Sequence, residues 1–210
     1  MRKIALALIL ALLALLLLSC GQAAVSETEE KAPVEEPSGS DEFPPHDASE
    51  PLTVGDQATI MLGTGTDVNL LIQRADGQVL YELPIKSNTV IDPNTAFTVR
   101  TFEFGIPEEL ADQYVAVGST ALELHAALET GYGFALKPNL TIHYSQEELD
   151  AAQAEGANLD PLKGNLLVLY KEQRSPRWAV QTTVSIDEEA GTVVISNIAG
   201  AGAWRLVAKK

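Results

Sequence analysis

Apolar and polar positions divide the chain into three regimes. Behind the basic pair Arg2 and Lys3 runs an unbroken apolar stretch from Ile4 to Leu18. From Gly21 to Pro51 that pattern gives way to "GQAAVSETEEKAPVEEPSGSDEFPPHDASEP", in which Phe43 is the sole aromatic residue. Beyond Thr53 short apolar runs return, separated by Gly, Asn, Asp and Pro. In one of them Trp178, Val180, Thr182, Val184 and Ile186 share a face, the two-residue period of a strand half-buried against a core.

The same period predicts strands at 57–62, 96–104, 114–117, 121–128, 133–136, 139–144, 165–170 and 203–208. "NLLIQRADGQVLYELP" predicts a hairpin turning at Asp76 and Gly77, and "WAVQTTVSIDEEAGTVVISNI" predicts another. "SQEELDAAQAEG" departs from the series. Ser145 and Glu148 stand at capping-box spacing and Gly156 closes the segment, so one short helix is expected across an edge or end of the fold. Many short strands with regular turn signals predict an all-β fold, an antiparallel β-sandwich with one short helix, over residues 53–210.

The first nineteen residues read as a secretory signal: a basic start, a short apolar core and a boundary of small residues. The apolar run falls short of the roughly 20 residues a spanning helix needs. Recruiting Ala23 to Val25 would lengthen it, which leaves an uncleaved anchor as the alternative. Leu17, Leu18, Ser19, Cys20 and Gly21 resemble the lipobox of bacterial lipoproteins, with Leu18 bulkier than that pattern prefers. The resemblance implies cleavage before Cys20, a diacylglyceryl group on its thiol and, in many species, acylation of the new amine by a palmitate-type chain. Each buried methylene contributes about 0.8 kcal/mol, so two or three chains anchor firmly where one does not.

Residues 20–52 would then form an acidic, Pro/Glu/Ser-rich tether. Low hydrophobicity and one-sided charge cannot offset the entropy of ordering, so disorder is expected there, with a coil spanning roughly 30 Å. His46 sits in this segment as a solvated spacer residue. Formal charge over the whole chain is −15, a balance that excludes nucleic acid as a partner and disfavours direct adhesion of the domain to anionic headgroups. Cys20 is the only cysteine, so the domain that follows can form no internal disulfide and no thiolate metal cluster.

"LKPNLTIHYSQEELDAAQ" and "GNLLVLYKEQRSPRWAVQTTVSIDEEAGTVVISNI" resemble the closing strands of ZU-domain-like β-sandwiches, over roughly residues 95–210. Some members of that family self-cleave at a His-Phe-Ser segment. This chain has Ser196-Asn197-Ile198 near that place and no histidine there, so the resemblance implies the fold and not the cleavage.

Candidate chemistry is sparse. "GTGTD", Gly63 to Asp67, is followed by strand-like sequence rather than by the helix and lysine of a phosphate loop, and reads as a turn. His125 and His143 lack metal-ligand spacing and read as surface or half-buried polar residues, with paired metal ligation the alternative. Glu103, Glu123, Glu129 and Glu147 could supply the two carboxylates of a glycosidase, but sequence selects no pair. Asp187, Glu188 and Glu189 offer oxygens for calcium, although a hairpin turn explains them equally. Ser119 after Gly118 lacks the second glycine of a nucleophile elbow. "GYGF", Gly131 to Phe134, with Tyr114, Trp178 and Trp204 are the best aromatic candidates for ligand contact, core being the competing role.

No cofactor and no metal are expected. The sequence therefore points to a lipid-anchored, non-catalytic binding or structural module of the bacterial envelope. It would sit on the extracytoplasmic side of the cell membrane or outer membrane and engage an envelope protein or polysaccharide. The alternative is an envelope hydrolase or a small-ligand-binding lipoprotein, which would need a deep pocket with converging polar groups.

Overall fold

Alternating burial along the strands follows from two sheets that each turn one face to a shared interior. The computed structural model describes residues 43–61, 67–87, 96–126, 134–181 and 183–210. Cys20, the signal segment, most of the "GTGTD" stretch, Glu129, Gly131 to Gly133 and Thr182 lie outside the described residues.

In chain order the elements are β1 (Leu52–Thr53), β2 (Gln57–Met61), β3 (Val68–Gln73), β4 (Val79–Ile85), β5 (Ala96–Glu103), α1 (Glu108–Ala111), β6 (Tyr114–Ala116) and β7 (Thr120–Ala126). There follow β8 (Leu140–His143), α2 (Gln146–Ala154), β9 (Leu166–Glu172), β10 (Ala179–Gln181), β11 (Val184–Asp187), β12 (Thr192–Ile195) and β13 (Gly202–Lys209). Sheet one has the order β1-β3-β4-β8-β12-β11 and sheet two the order β10-β9-β13-β7-β5-β2. Between named strands all pairings are antiparallel except β1 with β3. Leu70, Ile72, Leu83 and Ile142 from sheet one and Val99, Leu124, Val168 and Trp204 from sheet two meet in one apolar core, as the β-sandwich reading requires.

β13 is buried along nearly its whole length because both of its faces are covered. Its inner residues Trp204, Leu206 and Ala208 join the main core. On the outer face, Val207 joins Leu167 and Leu169 beneath Phe104, Ile106, Leu110, Tyr114 and Trp178. This second cluster explains α1, a single turn the sequence pattern did not signal. The β5–β6 connection must cross the outside of sheet two, and it does so by laying Ile106 and Leu110 on that face.

Ordered contacts also include residues ahead of Thr53. His46 donates its N–H to the Thr59 carbonyl at 2.9 Å, and Thr59 donates to the Pro44 carbonyl at 3.0 Å, so residues 44–46 line the edge of β2. Ala48 is buried, Leu52 enters the core, and the His46 ring bonds the Glu50 carbonyl at 3.0 Å. His46 is thus part of a folded turn rather than a spacer.

The run from Trp178 to Ile186 also differs from expectation. Its alternation holds, but it is two strands in two sheets: β10 pairs with β9, and β11 pairs with β12. Trp178 and Val180 pack outside sheet two, whereas Val184 and Ile186 pack against the core between the sheets. Of the strand expected at 133–136, the described residues 134–136 form none. Phe134 there is buried and stacks on Phe97, with ring centroids 6.1 Å apart.

Candidate functional site

Among the described residues, one cleft lies at an end of the sandwich and another at its side, each formed by residues distant in sequence. The end cleft, about 460 Å³, lies between the β3–β4 turn, α2 and the β6–β7 junction; Arg74, Asp76, Gln78, Gly118, Glu147 and Glu148 line it. The turn forms as the Asp-Gly pair predicts, with Gly77 donating to the Arg74 carbonyl at 2.9 Å. α2 begins with the expected capping box: Glu148 donates its N–H to Ser145 Oγ at 3.2 Å, and the Ser145 N–H donates to Glu148 Oε2 at 2.8 Å. Leu149 and Ala152 then fix the helix to the core.

Both oxygens of the Glu148 carboxylate also accept from Arg74 Nη2, at 2.8 and 2.7 Å. Beneath it β6 and β7 both pair with β13, with Ala116 opposite Val207 and Leu122 opposite Trp204. The extra residues of the bulge include Gly118, whose φ is +73°. A Cβ there would stand 2.7 Å from Glu148 Oε1, so the close approach of the carboxylate requires glycine.

Gly118 also meets a second charge. Its carbonyl accepts from Nη2 of Arg205, a residue 1% exposed on central strand β13. The guanidinium lies 5.8 Å from the Phe104 ring centroid, and its Nε and Nη1 find no hydrogen-bond acceptor among the described residues. Burial lowers the pKa of Arg205, opposed by the nearby Tyr81 phenol and Glu148 carboxylate. Tyr81, itself buried, donates to the Thr120 carbonyl at 2.7 Å, and burial raises its pKa. The end cleft is therefore the outer surface of a charge arrangement that ties the helix, both sheets and the bulge together.

The side cleft, about 170 Å³, opens where β10, the end of β12 and the 196–199 connection meet. Its aromatic side is the half-buried Tyr170 stacked on the core residue Trp204, which is 2% exposed, with centroids 5.5 Å apart and planes inclined by 24°. Ile195 and Ile198 add apolar surface, while Gln181 and Asn197 bring side-chain amides. Trp204 sits opposite Tyr170 in the β13–β9 register. Gly202 makes the ring placement feasible: a Cβ on it would meet Tyr170 Cε2 at 2.7 Å and the Lys171 carbonyl oxygen at 2.6 Å. Asn197 adopts a φ of 62°, tolerated better by asparagine than by most side chains. Its N–H donates to Asn139 Oδ1 at 3.1 Å and the Ile198 N–H to the Pro138 carbonyl at 2.9 Å, which pins the loop.

The residues singled out by sequence scatter. Trp204 reaches the side cleft, Trp178 and Tyr114 lie in the outer cluster, and Phe134 is core, so these aromatics form no common platform. Glu123 pairs with Arg100 and, with His125, Thr98 and Phe43, lines a shallow depression of about 140 Å³ on sheet two. Glu147 belongs to the end cleft and Glu103 to neither. His125 approaches Gln173 Nε2 at 3.3 Å, whereas His143 belongs to the other sheet, 3.8 Å from Glu82. Burial lowers the pKa of His143, against the raising effect of Glu82. Asp187 accepts from the Ala190 N–H at 3.0 Å, the hairpin role, and its neighbours Glu188 and Glu189 are exposed in the same turn. Ser119 lies in the β6–β7 bulge with its Oγ 3.5 Å from Thr120 Oγ1. No group of three or more His, Cys, Asp or Glu among the described residues is placed to hold a metal ion.

Sequence reasoning missed Arg74, Tyr170, Gln181, Asn197 and Arg205. Only Asn197, an asparagine between strands, carried a local signal, since its residue type suits a left-handed turn. No family model matches the chain and no curated protein matches it, so function rests on these two clefts and on the N-terminal sequence.

Proposed function

We propose that this chain is a lipid-anchored extracytoplasmic module of the bacterial cell envelope that binds an envelope protein or polysaccharide without transforming it. The lipobox-like stretch ending at Cys20 supports the anchor. The single observation favouring binding over catalysis is that Glu148, the carboxylate at the centre of the end cleft, is committed to structure. Glu148 is held by Arg74 and the cap of α2, and Glu123 by Arg100, while Glu103, Glu123 and Glu147 share no cleft. A hydrolase needs two carboxyls facing one bond across a fixed gap. The side cleft instead offers shape, aromatic surface and amides, the composition of a recognition site.

Fractionation tests the anchor. Wild type is expected with the membranes and Cys20→Ser in the soluble fraction, and equal pelleting of the two overturns it. Incubation with isolated envelope tests the second half: retention without new reducing ends or peptides is expected, and their release would assign an enzyme.

A further inference from the structure

We propose that the Tyr170–Trp204 cleft binds one uncharged pyranose residue, as a chain end or branch of an envelope glycan. This rests on the binding role above and names its ligand class.

The first ground is charge. The whole chain carries −15, yet no carboxylate, ammonium, guanidinium or imidazole lines this cleft among the described residues. An anionic ligand would enter against the field of the protein and meet no cation. A cationic ligand would be desolvated with no partner here, although carboxylates line the end cleft. The occupant is therefore neutral.

The second ground is the mixture of surfaces. A purely apolar occupant would cover the Gln181 and Asn197 amides without satisfying them, a cost of about 1–3 kcal/mol for each group left unpaired. A purely polar one would leave the aromatic wall unused. A pyranose ring has an apolar C–H face for the Tyr170 ring and equatorial hydroxyls for side-chain amides, each of which donates and accepts.

The third ground is construction. Gly202 admits the Tyr170 ring where a side chain would exclude it, and Asn197 is held in a left-handed conformation by Asn139 and Pro138. The Tyr170 ring and the Asn197 backbone are thus placed before a ligand arrives, which lowers the ordering cost of binding. A volume of about 170 Å³ admits one sugar ring and excludes a longer buried chain, so recognition is of a single residue.

The test uses the full-chain Cys20→Ser protein, with Trp178→Phe added so that Trp204 reports alone. Glucose, galactose and N-acetylglucosamine and their short oligomers are titrated against tryptophan fluorescence, with glucuronic acid and glucosamine as charged counterparts. At least one neutral sugar is expected to shift Trp204 emission saturably, and its charged counterpart to bind at least about tenfold more weakly. Gln181→Ala and Asn197→Gly, the latter keeping the backbone conformation accessible, should each weaken binding about tenfold, the loss of one well-made hydrogen bond. Absence of saturable binding by every neutral sugar overturns the proposal. Equal affinity for charged sugars, or unchanged affinity in both amide variants, overturns it as well. Membrane fractionation of Cys20→Ser reads the anchor independently, so failure of either reading is visible without the other.

Discussion

Replacing Glu148 with alanine tests whether the end of the sandwich is held by one carboxylate. Glu148 receives Arg74 through two contacts, closes the capping box at Ser145 and stands near buried Arg205 as an opposing charge. Its side chain is 22% exposed and that of Arg74 24%, so solvent weakens the pair without cancelling it. Losing the cap contributes about 1 kcal/mol. The half-buried ion pair contributes a similar amount, and the loss of a countercharge for a buried guanidinium adds at least as much. The expected destabilisation is about 3 kcal/mol, or about 10 °C in Tm for a domain of this size. Urea unfolding followed by tryptophan fluorescence measures it. Glu148→Gln keeps an acceptor for the Ser145 N–H and loses the charge, so it should fall between wild type and alanine. A Glu148→Ala midpoint corresponding to less than about 0.5 kcal/mol would reduce the arrangement to an ordinary surface ion pair. A glutamine variant as unstable as alanine would place the whole effect in charge, and one as stable as wild type would place it in the cap and in packing at Gly118.

Gly202→Ala should destabilise by about 1–3 kcal/mol, because the added methyl meets the Lys171 carbonyl oxygen and the Tyr170 ring; wild-type stability in the same unfolding assay would contradict the close approach. His143 is held below its ordinary pKa by burial, so the folded state takes up its proton less readily than the unfolded chain. Its neutral form supports folding fully above about pH 6.5, and that contribution is lost as pH falls through the lowered folded-state value. His143→Gln should flatten stability against pH over this window, and an unchanged acid limb would show that other groups control it.

Local chemistry made much of the fold legible. Asp76-Gly77 and the Ser145/Glu148 box each specify a geometry within a few residues, and both form as written. Two-residue alternation located most strands for the same reason. It could not reveal that β10 and β11 belong to different sheets. Val180 and Val184 keep the same parity while one packs outside sheet two and the other packs on the core. Residues 44–46 were hidden because backbone groups make their contacts with Thr59, leaving no side-chain pattern in an acidic, proline-rich context. The side cleft was least legible. Trp204 stands out by residue type, but Tyr170, Gln181 and Asn197 come from three segments that meet only through the β9–β10 and β9–β13 registers and the turn before β13.

Sheet order places the point of chain entry and the side cleft at opposite edges of sheet two, which bears on the anchoring proposed above. The chain enters the domain beside β2, where Pro44 and His46 bond Thr59. β10 and β9, which carry Gln181 and Tyr170, occupy the opposite edge of the same sheet. Five strand spacings separate β2 from β10, about 24 Å at the usual interval. The inner faces of the intervening strands are filled by core side chains such as Phe97, Leu124 and Leu206. Were the chain anchored as proposed, a pull entering at β2 would be carried across the hydrogen-bonded ladder of sheet two, whose central strand β13 pairs with β9 from Gly202 through Ala208. The weak recognition of a single sugar proposed above would suit a domain anchored as proposed, because such a domain would meet neighbouring glycans at high effective concentration and gain little from a deeper pocket.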